Sequence, residues 1–214
     1  ILNDGYGFLR GESYASNAYA DIHVSKEIIE RYNLKTGDYI TGVAVNGNGL
    51  PTLQVVELIN GEKPLGNDRV EFDSLVAEYS NEKFNVNYNN DISLKIVDVL
   101  SPIGKGQRCI IYGEENSGKT TLVKKISKAI EKSDDKVKVI NLLINRRPEE
   151  VSSFKNELRS EVVDVTAYDN FERAIKTVNL VENRLKRLVE YGNDVVLIVD
   201  DLSALSKIVS YQNS

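Results

Sequence analysis

Gly113-Glu-Glu-Asn-Ser-Gly118-Lys119-Thr120 is the stretch on which the reading of this chain turns. It has the spacing G-x-x-x-x-G-K-[ST]. Ile110-Ile111-Tyr112 before it reads as a short apolar strand, and Thr120 to Lys132 after it carries apolar residues at 122, 123, 126, 129 and 130, a helical stripe. A glycine-rich turn of this kind aims consecutive backbone N–H groups at phosphate oxygens. The helix that follows adds the positive end of its dipole. Lys119 is then placed to reach the outer phosphates of a nucleotide, and the Thr120 hydroxyl to ligate magnesium.

Downstream, strands alternate with helices. Val137 to Ile144 is a nearly continuous apolar run, as in a strand buried on both faces. Pro148 to Leu158 reads as a helix with proline in its first turn. Val162 to Val165 is a strand, and Asn170 to Tyr191 a long helix with Phe171, Ala174, Ile175, Val178, Leu185, Leu188 and Val189 on one face and Gly192 as its stop. Val195 to Val199 is another buried strand, ending in Asp200-Asp201. The order implies βαβ units and a parallel sheet. A carboxylate at the end of such a strand can hold magnesium beside the phosphates. Asp200 directly follows the apolar run and Asp201 is the competing candidate.

Upstream the texture differs. Residues 1–62 hold four basic against eight acidic residues and are rich in Gly, Asn and Tyr. Tyr6 to Arg10, Asp21 to Val24, Tyr39 to Val45 and Leu53 to Ile59 read as short strands, with a helix over Lys26 to Tyr32, which suggests a small five-stranded barrel. Residues 63–91 read as a connector broken at Lys63-Pro64-Leu65-Gly66, with an Asn-rich loop over Phe84 to Asp91, and 92–214 as the α/β region.

Composition narrows the classes. The 214 residues are 41% hydrophobic and 28% charged, an ordinary globular balance. Net charge is −5, so the basic surface of a nonspecific nucleic-acid binder is absent. One cysteine, Cys109, excludes an internal disulfide framework and fits a reducing cytoplasm. One histidine, His23, argues against a histidine metal centre or a Ser-His-Asp triad. No apolar run is long enough for a membrane span. The absence of methionine and the stop at Tyr211-Gln-Asn-Ser214 lead us to expect a fragment. Cys109 is expected to be a small apolar residue at a buried strand start.

Two further stretches carry a family resemblance. Ser101-Pro-Ile-Gly-Lys-Gly-Gln-Arg108 resembles the S-P-I-G-R-G-Q-R segment of Rho transcription termination factors, with a related segment in rotary ATP-synthase subunits. Leu142-Leu-Ile-Asn-Arg-Arg147-Pro-Glu-Glu-Val151 resembles L-L-I-D-E-R-P-E-E-V of Rho and not the rotary pattern. Asp4-Gly-Tyr6-Gly-Phe8-Leu9-Arg10 is similar to Rho's cold-shock-type RNA motif, and Arg31-Tyr-Asn-Leu-Lys-Thr-Gly-Asp38 to its R-F-N-L-R-T-G-D.

The resemblance implies an oligonucleotide-binding (OB) barrel followed by a RecA-like P-loop α/β domain. It implies ATP contacts at Gly104, Lys105, Gly106, Gln107, Arg108, Cys109, Asn116, Ser117, Gly118, Lys119, Thr120, Thr121 and Arg147. It implies RNA contacts at Gly5, Tyr6, Gly7, Phe8, Leu9, Arg10, Asp21, Ile22, His23, Asn48, Gly49 and Leu50, with bases stacking on Tyr6 and Phe8. The implied activity is that of an RNA-dependent ATPase. It works as a homohexameric ring that pulls single-stranded RNA and dislodges RNA polymerase, using ATP and magnesium.

The chain departs from that pattern at chemical positions. Arg146 stands where the family has the glutamate that activates water, and Asn145 replaces the preceding aspartate. Asn116 replaces a lysine, Glu114 and Glu115 replace two prolines, and Asp201-Leu-Ser-Ala204-Leu lacks the family's arginine. His23 and Leu50 replace two aromatics of the base pocket. With Lys119 and Asp200 retained and the base position cationic, a protein that binds RNA and nucleotide without turnover is one alternative, and a rotary-ATPase-like subunit a second.

Overall fold

The computed structural model describes residues 1–11, 14, 20–46 and 49–212. They form two compact units. One comprises residues 1–75, 168–192 and 208 onward, the other residues 76–167 and 193–207.

The first unit is built on strands β1 (Gly7–Leu9), β2 (Ile22–Val24), β3 (Ile40–Val45) and β4 (Thr52–Ile59). Their order is β1-β2-β4-β3, and these four are the strands found among the described residues, against the five expected. β1 and β2 are antiparallel with Phe8 opposite His23, and His23 pairs in parallel with Thr52 of β4. β3 and β4 pair antiparallel, with register shifts at Thr41/Gly42 and Val43/Ala44. At that irregularity the backbones nearly touch: a Cβ on Gly42 would lie 2.0 Å from the Val55 carbonyl oxygen, so only glycine fits. Helix α1 (Lys26–Tyr32) crosses from β2 towards β3 and ends on Asn33 in the left-handed region. The two register shifts space the inward residues of β4 three apart, so Leu53, Val56 and Ile59 join Val24 and Leu34 in the core, with Leu9, Ile22, Ile29 and Tyr32 packed against them.

Part of the connector is also bound into this unit. The Arg69 side chain is 1% exposed and donates to both oxygens of Asp38 at 2.7 and 2.8 Å, to Glu190 Oε2 at 2.7 Å and to the Asn33 carbonyl at 3.2 Å. Burial works against the Arg69 charge, but the hydrogen bonds and charge of Asp38 and then Glu190 outweigh it, holding its pKa above the ordinary arginine value. Glu190 closes helix α5 (Phe171–Glu190) and also accepts from the Phe72 backbone N–H and from Arg187. Tyr191 lies under the Arg69 guanidinium, 5.1 Å from its ring centroid, and packs against the strand core.

The second unit has a parallel sheet of β5 (Val137–Ile144), β6 (Glu161–Val165) and β7 (Asp194–Asp200) in the order β6-β5-β7. Helices α2 (Ile92–Leu100), α3 (Lys119–Ser133) and α4 (Pro148–Glu157) belong to it, and α6 (Leu202–Gln212) follows β7. β5 is buried at every position but Lys138, as its apolar run predicts. Ile126, Ala129 and Ile130 of α3 pack with Val137 and Val139 of β5, Leu94 of α2, and Phe84 and Val86. Phe84 and Val86 come from the Asn-rich stretch, which has no regular structure yet places two side chains in the core and caps α2 through Asp91.

Three sequence expectations need correction. Among the described residues no strand pairs with residues 110–112: Ile111 packs against the core, while Ile110 and Tyr112 are 75% and 96% exposed. Three residues offer few ladder bonds, and only one of these side chains finds apolar cover. Cys109, just before them, is exposed and not the buried small residue expected. β7 lies at the sheet edge, so Asp200 is its one fully buried residue, in contrast to the strand buried on both faces that its composition suggests.

Removing one partner of a fully buried ion pair costs about 3–5 kcal/mol, whereas an exposed pair is worth about 0–1 kcal/mol. Glu190→Ala is therefore expected to lower the unfolding free energy in urea several-fold more than Glu182→Ala, whose partner Lys186 sits on the exposed side of the same helix. Equal losses in the two variants would contradict the role given to the Arg69 network.

Candidate nucleotide site and candidate nucleic-acid interface

The phosphate loop is shaped by backbone conformations that its sequence permits. Asn116 has φ 58° and Gly118 φ 87°, both left-handed. For glycine that region is free of strain, and asparagine tolerates it better than most residues. Gly118 is the N-cap of α3, so the first N–H groups of the helix face out of the loop. Lys119 Nζ donates to the Gly113 carbonyl at 2.9 Å and to that of Glu114. The ammonium thus lies across the loop mouth, on carbonyls for which an anionic oxygen is the stronger partner. Glu114 and Glu115 are exposed.

The ends of the elements bring other residues to the same place. α3 is about 22 Å long at 1.5 Å per residue, and β5 about 26 Å at 3.3 Å per residue, so the start of α3 and the end of β5 lie together. A cavity of about 320 Å³ is lined by Thr120, Thr121 and Lys124 of α3 and by Glu149, Glu150, Ser153 and Phe154 of α4, the helix that follows β5. Lys124 donates to Ser153 Oγ at 2.8 Å and to Glu157 at 2.6 Å, and its ammonium depresses the Glu157 pKa. These lining residues were not anticipated from the sequence. The available signal was that Lys124 stands one helical turn beyond Thr120, and that Glu149 and Glu150 open the helix after β5.

Arg147 follows β5 and is exposed, its N–H donating to the Glu150 carboxylate at 3.1 Å. Arg146 turns to the neighbouring strand. Its Nη2 donates to Asp200 Oδ1 at 2.7 Å and lies 3.7 Å from Asp201 Oδ2. Parallel pairing sets this up, because Leu143 of β5 is in register with Asp200 of β7. Thus Asp200, the strand-end carboxylate, is bound to Arg146, the residue that the sequence resemblance aligns with a glutamate.

The turn at 104–107 lies elsewhere. The Gly104 N–H donates to Gln107 Oε1 at 2.7 Å, Gly106 has φ 82°, and Lys105 pairs with Asp194 at 2.7 Å and Glu82 at 3.0 Å. Asp194 opens β7 and Asp200 closes it, about 20 Å apart at 3.3 Å per residue. The structure therefore does not bring Lys105 to the loop end. Arg108 and Cys109 are exposed on the way to the loop. Among the described residues no cluster of three or more His, Cys, Asp or Glu side chains could hold a metal ion.

In the first unit, Tyr6 and Phe8 leave β1 on one face, and the Phe8–His23 register adds the imidazole from β2. Ring centroids are 5.8 Å apart for Tyr6–Phe8, 5.6 Å for Tyr6–His23 and 5.8 Å for Phe8–His23. None belongs to the core cluster, and Phe8 is exposed. Between them Gly7 is buried, while Leu9 and Ile22 face the core. The His23 N–H donates to the Pro51 carbonyl at 2.8 Å, so Gly49 and Leu50 border β2, both exposed. Gly5, in the left-handed region, opens β1; Arg10 beyond it is exposed and Asp21 is buried. Asn48 lies outside the described residues.

A Walker-type loop opening a helix beside a parallel sheet defines a P-loop nucleotide-binding domain. Residues 93–210 match the nucleotide-binding domain of the ATP synthase alpha/beta family, and the chain belongs to that family. Residues 1–65 match the RNA-binding domain of Rho termination factor, so an OB-like domain precedes the RecA-like one. Over 97% of its length the chain is 37% identical to transcription termination factor Rho of Borreliella burgdorferi, covering 41% of that protein. It is likewise 37% identical to that of Karelsulcia muelleri, covering 56%, and 35% identical to that of Aquifex aeolicus, covering 50%. The chain spans about half the length of the curated relatives it matches. These matches bear out the Rho resemblance read from the sequence.

Two solved structures share the fold. ATP synthase subunit NeqB from Nanoarcheaum equitans gives a TM-score of 0.53 at 19% identity, over 69% of this chain and 38% of that one. An ATPase of the type III secretion system of pathogenic bacteria gives 0.54 at 18% identity, over 83% and 51%.

Lys119 is the loop's single ammonium at the phosphate end. Lys119→Ala is expected to abolish ATP-induced stabilisation in a thermal-shift titration while leaving the unliganded melting temperature nearly unchanged. Equal stabilisation of both proteins would remove the loop from the site.

Proposed function

We propose that the chain acts as a Rho-type factor, binding single-stranded RNA through the OB-like domain and ATP through the P-loop domain. The observation that carries this is the conjunction of the two built surfaces, the Tyr6–Phe8–His23 cluster and the phosphate loop, on one chain whose two halves match the corresponding domain families. In this reading Asn116, Ser117, Gly118, Lys119, Thr120, Thr121 and Arg147 hold the nucleotide. Gly104, Gly106, Gln107, Arg108 and Cys109 join them on the resemblance alone, and Lys105 does not, its ammonium being held by Asp194 and Glu82 at the other end of β7. Bases stack on Tyr6 and Phe8, flanked by His23, Gly49 and Leu50. A homohexamer, action on a nascent transcript held by RNA polymerase, and a cytoplasmic location follow as parts of the same proposal. No helix among the described residues is long and apolar enough to cross a membrane.

Magnesium would supply charge neutralisation between the outer phosphates, with Thr120 and Asp200 as its ligands. The residues present fit it poorly, because Asp200 Oδ1 is bound by the Arg146 guanidinium at 2.7 Å, a cation where the dication would stand. Only Asp200 Oδ2 is left for a metal ion, which would stand beside the Arg146 cation unless it displaced it.

That same contact favours a second reading for this 214-residue chain: nucleotide binding without turnover. In-line attack on the γ-phosphate needs an oriented water, and loss of a general base costs about 10²–10⁴-fold. Arg146 accepts no proton and holds one oxygen of Asp200. Phosphate release near background is expected, with or without RNA. Robust RNA-stimulated release would contradict the second reading and assign the work to another carboxylate, Glu149 or Asp201.

Base stacking is worth about 1–3 kcal/mol per base. Tyr6→Ala combined with Phe8→Ala is therefore expected to weaken binding of a short pyrimidine-rich RNA at least tenfold in fluorescence anisotropy. The salt dependence should be shallow, since this domain holds few basic residues. Unchanged affinity in the double variant would overturn the RNA face.

A further inference from the structure

We propose that Arg146 is a built-in counter-ion of the nucleotide site, standing in place of the divalent cation and making nucleotide binding independent of magnesium. The inference rests on the phosphate-loop reading above and adds a ligand to it.

Asp200 is 8% exposed and ends a parallel strand at the loop end of the sheet. A buried carboxylate needs a cation or several donors. Arg146 supplies the cation through a single hydrogen bond of 2.7 Å. The pair is left half-made, because Arg146 Nε and Asp200 Oδ2 are both buried and neither has a partner. An arginine carries five donors in a planar fork, and a carboxylate takes two of them when the pair is bidentate. Here it takes one, so the guanidinium keeps donors for a second acceptor. The anion that suits that fork is a phosphate oxygen, for which arginine is the preferred partner.

Position supports the same conclusion. Arg146 is one residue before Arg147 and two before α4, whose first turn lines a cavity with Thr120 and Thr121. Asn145 before it has φ 55°, a left-handed residue directly after β5, and the Arg146 side chain reaches Asp200 of β7. Asp201 Oδ2, 3.7 Å away, adds a second carboxylate beside the cation. A guanidinium fixed in this way already neutralises Asp200. A magnesium ion brought to the same carboxylate would have to displace it or sit beside a like charge.

The test is titration of the 214-residue chain with a fluorescent ATP analogue in excess magnesium and again in excess EDTA. For the unmodified chain the two dissociation constants are expected to agree within about threefold. Arg146→Gln, which frees Asp200, is expected to bind at least about tenfold more weakly in EDTA than in magnesium. A tenfold loss for the unmodified chain in EDTA would overturn the proposal, and so would an Arg146→Gln chain that binds as tightly as the original in both buffers. Should Arg146→Gln fail to fold, the double variant Arg146→Gln, Asp200→Asn replaces the ion pair by a neutral one of the same shape. It is expected to bind more weakly by the same factor in both buffers, and unchanged affinity there overturns the proposal. Absence of any binding in either buffer would defeat the phosphate-loop reading itself. That result is distinguishable from a magnesium requirement, in which Lys119→Ala still abolishes binding in magnesium.

Discussion

Arg69 is the constraint on which the first unit depends. The core beneath its strands is a cluster of five buried side chains, Val24, Leu34, Leu53, Val56 and Ile59, and Tyr191, which lies under the Arg69 guanidinium, packs against it. Asp38, Asn33 and Glu190 converge on one guanidinium, and Glu190 also receives the Phe72 N–H and Arg187. Charges this deeply buried contribute less to net stability than to uniqueness, because any other arrangement leaves at least one of them unpaired. The network therefore decides which segments belong to the unit. It ties in residues 168–192 through Glu190, 121 positions from Arg69 in sequence, and holds the turn between α1 and β3 from which that strand starts.

What the sequence disclosed was local. The phosphate loop is legible because its conformation needs glycine where glycine stands, and β5 because a strand covered on both faces must be apolar nearly throughout. α5 is legible as a helix from its stripe and from Gly192, whose φ of 76° closes it. A stripe says that one face is buried without saying against what, so the assignment of α5 to the first unit was not legible. Arg69 stands in a stretch that looks like a connector, and no periodicity marks a lone charge for burial. Residues 110–112 show the converse limit: apolar character is a property of the run, while a strand exists only when another offers its ladder.

The aromatic face was half legible for the same reason. Period-two alternation sends Tyr6 and Phe8 to one side of β1 and leaves Gly7 and Leu9 on the other. That His23 completes the cluster is a matter of cross-strand register, since a shift of one residue would place Ile22 or Val24 opposite Phe8 and turn the imidazole into the core. The His23–Thr52 bridge then settles where residues 49–51 run. In the proposed RNA-binding reading, this face depends on a register held by the core beneath it, which ties it to Val24, Leu53 and Val56.

At the other site the register does equivalent work with opposite consequences. Pairing of Leu143 with Asp200 puts residue 146 beside the end of β7 whatever its identity. With a glutamate there, two carboxylates would face one another across the strand ends and demand a shared cation, which a dication can bridge while leaving positions for water. With arginine there, the demand is met within the protein. A guanidinium differs from a dication in having no coordination positions to lend, so it can hold a phosphate oxygen but cannot bind and acidify a water. In the reading proposed above, a single residue change thus separates two properties that a phosphate loop ordinarily couples. Attraction for the polyphosphate is retained while the means of activating a nucleophile against it is not, and the proposed separation follows from charge and register before any difference in the loop itself is considered.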